Sequence, residues 1–89
     1  MKYVMFIQDE DGDFPIVYPV LFPNNLVHQE VAEALMAGPL EGFRVRSAGE
    51  LTSMGKGQGV TGKSDTLGVK SHPDDERIIN MQDYGGYML

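Results

Sequence analysis

The stretch NNLVHQEVAEALMAGP, residues 24–39, decides how we interpret the chain, because it carries the signals of a complete helix. Asn25 is typical of an N-cap, where the side chain accepts a hydrogen bond from a free backbone amide. Gly38 and Pro39 form the usual stop signal. We therefore predict a helix from about Asn25 to Ala37. The apolar residues that recur at helical spacing, and so form its predicted buried stripe, are Val27, Val31, Ala34 and Leu35.

Two runs rich in β-branched and aromatic residues precede this helix and predict strands. Residues 3–7, YVMFI, predict a strand that is buried on both faces, and residues 16–22, IVYPVLF, predict a second strand. The turn signal Asp11-Gly12 between them favours a hairpin. Because Pro19 cannot donate a hydrogen bond to a neighbouring strand, the second strand should lie at an edge or carry a bulge.

The second half of the chain predicts a third strand, a weak strand pair and a short helix. From residue 42 to 48, apolar or small residues alternate with arginines, which predicts one inward and one basic outward face. The inward residues are Phe43, Val45 and Ser47, and the outward ones are Arg44 and Arg46. Residues 55–59 predict a glycine-rich turn, and residues 60–69 predict a weak or bulged strand pair. A helix is predicted from about Pro73 to Met81, with His72 in its cap and acids in its first turn.

Together these elements predict a single domain over residues 1–89 of the α+β class. We expect a small antiparallel sheet of four or five strands, with one main helix packed on one face and a short C-terminal helix. The residues predicted to face inward are Val4, Phe6, Val17, Val20, Val31, Leu35, Phe43, Val45, Val60, Leu67 and Ile78.

The composition describes an acidic domain without cysteine. The chain has 89 residues, a formal net charge of −6 and no cysteine. The lack of cysteine favours the cytoplasm over an oxidising compartment and excludes thiolate chemistry. The seven Lys and Arg residues are scattered, which disfavours direct nucleic-acid binding. No run approaches the roughly 20 apolar residues that a membrane helix needs, so we expect no membrane segment.

Residues 57–64, GQGVTGKS, match the phosphate-loop pattern GxxxxGK[ST] at every fixed position. A phosphate loop follows a buried strand and leads directly into a helix, so that its backbone amides wrap the phosphate. The preceding residues 52–56 are a poor buried strand, and Gly68 and Pro73 leave less than two turns for a helix. We therefore interpret the match as a glycine-rich hairpin.

Five side chains are candidates for ligand binding: His28, Arg44, Arg46, Lys63 and Ser64. Histidine is the usual titrating group near neutral pH, although the position of His28 beside the apolar stripe favours a structural role. The two arginines suit a carboxylate or a phosphate, or the acids of the chain itself.

No catalytic residue, metal site or cofactor is predicted. Ser47 and Ser64 both lack the G-x-S-x-G sequence of a nucleophile elbow. The acidic run at residues 9–13 does not have the spacing of a calcium loop, because its glycine falls at position four and position twelve is Val20. We interpret that run as a solvated turn.

Several motifs, taken in order, are similar to those of a family of small uncharacterised proteins encoded in phages and prophages. Members of that family often read SAGF and then GxSxSLxLxSRPxD. The matching stretches here are YVMF at 3–6, PVLFP at 19–23 before His28, SAG at 47–49 and GKSDTLGVKSHPDD at 62–75. Glu50 and His72 differ from the usual Phe and Arg. The resemblance implies a cytosolic bacterial or phage setting and a strand pair containing Gly62-Lys63-Ser64, and it transfers no site residue.

Three hypotheses for function follow. The first is a non-enzymatic accessory or protein-interaction protein of phage or prophage type. Its partner is another protein or a second copy of this chain, which would make a homodimer. The second is a small-molecule or nucleotide-binding domain that uses the loop at residues 57–64. The third is an acidic mimic of nucleic acid that occupies the basic groove of a DNA-handling protein through Asp9, Asp11 and Asp13.

Overall fold

The fold is built on a central strand that is buried on both faces. A computed structural model describes residues 1–8, 15–53, 58–64, 67–81 and 87–88, and for residues 52, 53, 58, 59, 81, 87 and 88 it describes the backbone only. The strands are β1 (Lys2–Gln8), β2 (Ile16–Phe22), β3 (Arg44–Ser53), β4 (Gln58–Thr61), β5 (Lys63–Ser64), β6 (Val69–Lys70) and β7 (Tyr87–Met88). The helices are α1 (His28–Met36) and α2 (Pro73–Met81). The predicted α+β class, with one main helix and a short C-terminal helix, is confirmed.

The main sheet has the strand order β4-β3-β1-β2-β7, and a separate pair joins β5 to β6. The predicted hairpin of the first two strands is confirmed, because β1 and β2 pair antiparallel with Val4 opposite Val20. Among the described residues, β7 runs parallel to β2 and pairs with Val20 and Leu21. Pro19 precedes these two residues of β2 and pairs with Met5 of β1. The acidic run at residues 9–13 lies outside the described residues.

Burial of β1 on both faces gives the sheet two packed layers. Tyr3, Val4, Met5 and Phe6 are fully buried, as the apolar run predicted. Val4 and Phe6 join a core against α1, whose other buried members are Val20, Phe22, Val31, Ala32, Leu40 and Ala48. Of the other predicted inward residues, Leu35, Phe43, Val45 and Leu67 pack against this core while partly buried. Val17, Val60 and Ile78 are only partly buried.

The start and the buried stripe of α1 differ from the prediction. The N-cap is Val27, and no side chain makes a capping hydrogen bond there. Asn25 lies instead in a turn closed by the hydrogen bond from the Leu26 amide to the Pro23 carbonyl, at 3.1 Å. The later start turns the buried face, so that the buried residues are His28, Val31 and Ala32, whereas Val27 and Ala34 are exposed.

A register shift in β3 corrects the predicted alternation around the arginines. Met5 of β1 pairs with Ser47, but the next residue, Phe6, pairs with Val45, so Arg46 is an extra residue in β3. Beyond this bulge Ala48, and not Ser47, joins the α1-facing core with Val45. Ser47 therefore lies on the opposite face, although strict alternation predicted that it would share a face with Val45. Bulges re-aim side chains in this way and are common beside functional sites.

The segment with the phosphate-loop pattern is a strand, a turn and a second strand. Gln58–Thr61 forms β4, Gly62 turns the chain with φ of +81°, and Lys63–Ser64 pairs with β6. A positive φ of this kind favours glycine, because a Cβ atom would be strained there. The described residues 58–64 continue into a strand and not into a helix, so they do not form a phosphate loop, in agreement with the interpretation of the match as a hairpin. Of the turn predicted over residues 55–59, residues 58 and 59 belong to β4 and the others lie outside the described residues. The strand pair that contains Lys63 and Ser64 is confirmed.

Candidate functional site

An open groove of about 610 Å³ lies between β3, the β5–β6 pair and the start of α2. We call it the basic groove. Its lining residues are Arg46, Ser47, Lys63, Ser64, Gly68, Val69, Lys70, Ser71 and His72. The volume falls within the range of ordinary small-molecule sites.

A fully buried carboxylate, that of Asp75, lies next to the groove and bonds to its lining residue Ser47. Its Oδ2 accepts hydrogen bonds from Tyr3 Oη and Ser47 Oγ, both at 2.6 Å, and from the His72 amide at 3.0 Å. Contacts of 2.6 Å are typical of charge-assisted bonds from a hydroxyl to a carboxylate. Its Oδ1 is buried with no partner among the described residues. Asp75 therefore ties the start of α2 to β1 and β3 through a single oxygen.

Tyr3 is held in its protonated form by this arrangement. Burial raises the pKa of the Tyr3 hydroxyl far above its usual value, and the hydrogen bond to Asp75 and its negative charge raise the pKa further. A protonated Tyr3 can donate to Asp75, whereas a phenolate would face a second buried anion. Both O–H groups on Asp75 Oδ2 thus act as donors.

His72 caps α2 with its side chain and its backbone. Its Nδ1 accepts a hydrogen bond from the Asp74 amide at 3.1 Å, and its own amide donates to Asp75 Oδ2. Asp75, three residues after His72, accepts from the His72 amide as in a capping box, but the His72 ring accepts from the Asp74 amide and not from that of Asp75. The predicted role of His72 in the helix cap is confirmed.

The second contact of the His72 ring fixes its tautomer. Arg46 Nη2 donates to Nδ1 at 3.1 Å and lies 3.9 Å from Asp74 Oδ2. Because arginine and a backbone amide can only donate, Nδ1 must be the acceptor and the ring proton must lie on Nε2. The His72 side chain is 48% exposed and lines the groove.

The groove gathers positive charge in a chain of net charge −6. Three of the seven Lys and Arg residues line it, namely Arg46, Lys63 and Lys70. None of the described residues that line it is acidic. Lys63 and Lys70 are direct partners across the β5–β6 pair. Ser47 and Ser64, each 2% exposed, add hydroxyl groups to the same lining.

The structure brings together three of the five predicted ligand-binding candidates. Arg46, Lys63 and Ser64 line the basic groove. Arg44, the first residue of β3, is not among its lining residues and pairs with Ile7. Sequence reasoning about ligands missed Lys70, Ser71 and His72, and it considered Ser47 only as a nucleophile. The helix-cap sequence SHPDD at residues 71–75 and the lysine just before it could have indicated these residues. Their proximity to Arg46, however, depends on the bulge.

His28 lies away from the groove and makes contacts of a structural kind. His28 is 6% exposed, and its Nε2 is 2.9 Å from the Gly49 carbonyl oxygen. Because a carbonyl only accepts, this nitrogen carries a proton. The ring also meets Phe22 edge to face, with centroids 5.4 Å apart. His28 thus joins α1 to β3.

Comparison of the chain with models of protein families, with curated proteins and with solved structures gave no match. Within the described residues, no group of three or more His, Asp or Glu side chains is arranged to hold a metal ion. In the same part of the chain, neither helix has the length and apolar character needed to cross a membrane.

Proposed function

We propose that this chain is a non-enzymatic binding protein that holds an anionic small molecule in the basic groove. The proposal keeps the accessory role and the phage or prophage setting that the resemblance implies. It goes back to the small-molecule hypothesis, with one change: the ligand lies against the β5–β6 pair and β3, and not in a phosphate loop.

The charge of the groove is the observation that carries this proposal. Arg46, Lys63 and Lys70 line the groove, and no described acidic residue does. A chain of net charge −6 repels anions over most of its surface. Gathered cations oppose that repulsion locally, and the Arg46 guanidinium and the His72 ring, which line the same groove, carry N–H groups that can donate hydrogen bonds. An anion therefore finds both charge and donors in this groove.

The hydrogen bonds of Ser47 support a binding role over nucleophilic catalysis. Its hydroxyl proton is donated to Asp75, and a nucleophilic serine ordinarily donates to a histidine ring nitrogen. The histidine that lines the groove, His72, uses Nδ1 to accept from Arg46 and the Asp74 amide. Among the described residues, no ring nitrogen is bonded to Ser47 Oγ.

The test is titration of the ¹⁵N-labelled chain with phosphate, citrate and AMP, followed by two-dimensional NMR, with adenosine as the uncharged control. We expect saturable shifts of the amide signals of the groove residues with at least one anion and none with adenosine. The double variant Lys63→Gln, Lys70→Gln should lose them, and Arg44→Gln, which removes a cation outside the groove, should keep them. Shifts that never saturate, or that persist in the double variant, would contradict the proposal.

A further inference from the structure

We infer that pH regulates anion binding in the basic groove through His72, whose ring adds a positive charge to the lining when it takes up a second proton. This inference rests on the proposed function and concerns the regulation of that same site. It depends on two observations. His72 lines the groove with a side chain that is 48% exposed, and the nitrogen that would take the proton accepts from two donors.

The second proton can bind at only one atom of the His72 ring. The neutral ring carries its proton on Nε2, because Nδ1 accepts from Arg46 Nη2 and from the Asp74 amide, both at 3.1 Å. The second proton therefore binds to Nδ1, and a histidine ring ordinarily takes it up between about pH 5 and 8. A protonated Nδ1 donates and no longer accepts, so the hydrogen bond from Arg46 must break.

The folded chain already holds an acceptor for the new N–H group. Asp74 Oδ2 lies 4.0 Å from His72 Nδ1 and 3.9 Å from Arg46 Nη2, on a side chain that is 55% exposed. Rotation of the Asp74 side chain can convert the first contact into a charge-assisted hydrogen bond. Glu76, also in the first turn of α2, stays ionised over this pH range as glutamates ordinarily do. Protonation therefore adds one positive charge in total, whichever cation Asp74 pairs with.

The other charged and titratable groups around His72 leave this gain in place. The buried Asp75 carboxylate accepts from the His72 amide and from the Tyr3 hydroxyl, and neither bond involves the ring. Lys63 and Lys70 line the same groove and carry positive charge in both states of the ring, and no described acidic residue lines it. The lining thus changes from three cationic side chains to four as the pH falls. An anion in the groove is attracted more strongly to the protonated form.

The test is calorimetry at pH 8.0 and pH 5.5 with sulfate, whose charge is constant over this range, and with phosphate, citrate and AMP. The reference is His72→Asn, because asparagine caps a helix well and does not titrate. Relative to this variant, the unaltered chain should bind an anion at least about fivefold more tightly at pH 5.5 than at pH 8.0, as is typical of coupled sites. The comparison also cancels the titration of the anion itself. Arg44→Gln, which removes a cation outside the groove, should retain the increase.

A second measurement uses the unaltered chain and needs no variant. The chain has two histidines, His28 and His72, so NMR can follow the ring signals of each through a pH titration. Coupling is reciprocal, so a bound anion must make His72 take up its proton at higher pH, by about 0.7 pH units for a fivefold effect. The ring signals of His28, which lies away from the groove, should change at the same pH with and without the anion.

Three results would overturn the inference and leave the proposed function standing. The first is an affinity that changes between the two pH values no more than that of His72→Asn. The second is a set of His72 ring signals that change at the same pH with and without a bound anion. The third is a larger effect of the anion on His28 than on His72. If none of the four anions binds at either pH, the proposed function fails as well.

Discussion

Asp75 joins three elements of the fold beside the groove through hydrogen bonds to one buried oxygen. Its Oδ2 receives Tyr3 from β1, Ser47 from β3 and the amide at the start of α2. If asparagine replaced Asp75, the side chain would keep its shape but lose its negative charge. The hydroxyl groups of Tyr3 and Ser47 would then compete for one neutral amide oxygen. A buried donor without a proper acceptor costs about 1–3 kcal/mol.

The variant Asp75→Asn should therefore lower the free energy of unfolding by about 2–3 kcal/mol, as measured by urea denaturation. Its matched control is Asp74→Asn, the same change at the preceding residue. The Asp74 side chain is 55% exposed, so we expect a loss of less than about 1 kcal/mol, mainly from the helix dipole. Equal losses in the two variants would show that Asp75 is not the structural centre described here.

Tyr3 gives the fold a dependence on alkaline pH. Its pKa is raised in the folded state, so the folded chain binds the Tyr3 proton more tightly than the unfolded chain does. The stabilisation is complete below the ordinary tyrosine pKa of about 10 and is lost as the pH rises above that value. For one proton, the free energy of unfolding falls by about 1.4 kcal/mol per pH unit.

The variant Tyr3→Phe should show a shallower fall of unfolding free energy between about pH 10 and 11, measured by urea denaturation at each pH. The difference in slope should approach about 1.4 kcal/mol per pH unit. Tyr18→Phe is the control at a partly buried tyrosine on β2. Identical slopes for the unaltered chain and Tyr3→Phe would contradict the assignment.

At the scale of elements, β3 and β4 approach each other too closely for any side chain at Gly49. An added Cβ atom would lie 2.5 Å from the Thr61 carbonyl oxygen and 3.3 Å from Tyr3 Cε1. The Gly49 carbonyl also receives His28 from α1. Glycine here is required by close approach and not by its backbone angles.

The variant Gly49→Ala should lose about 2 kcal/mol of unfolding free energy or more, because backbone atoms must shift to admit the methyl group. Gly38→Ala is the control, since its Cβ atom would meet the Ala34 carbonyl oxygen at an ordinary 3.6 Å. We expect that change to stay within about 0.5 kcal/mol of the unaltered chain. Comparable losses at both glycines would contradict the described approach of Thr61 to β3.

Most elements of the fold were predictable from the sequence, and the exceptions have physical causes. The β1–β2 hairpin followed from two apolar runs around a turn, and α2 followed from its acidic cap. The start of α1 was wrong because Asn25 was taken as a cap, whereas the chain forms a turn after Pro23. Local residue preference cannot separate these two uses of asparagine.

The candidate site was predictable only in part. Arg46, Lys63 and Ser64 were named from their side chains and motifs. The bulge that brings Arg46 and Ser47 to the same groove depends on pairing between β1 and β3, which are distant in sequence. The hydrogen bonds of Asp75 are likewise long-range, and an acidic residue in a first helical turn already has a local explanation in the helix dipole.

At the scale of the whole molecule, the small size of the chain makes bound ligand visible in its stability. A ligand at 100 times its dissociation constant adds about 2.7 kcal/mol to the folded state. For a domain of fewer than 100 residues, each kcal/mol raises the melting temperature by about 4–8 °C. Saturating AMP should therefore raise it by about 10 °C or more.

This shift is measured by differential scanning fluorimetry or by circular dichroism. Lys70→Gln should reduce it strongly, and Arg44→Gln should leave it intact. An increase of the same size with adenosine would mean that the base, and not the phosphate, provides the affinity. That outcome would contradict the charge argument for the groove.

The bulge in β3 has a consequence for how such a groove could arise. If Arg46 were deleted, Val45 and Ser47 would become neighbours, and the pairs Phe6–Val45 and Met5–Ser47 would continue as a regular ladder. The sheet is complete without this residue, and the core would keep its side chains. A single inserted codon is therefore enough to add a cation at the groove, and losing that codon should remove the cation while the architecture persists.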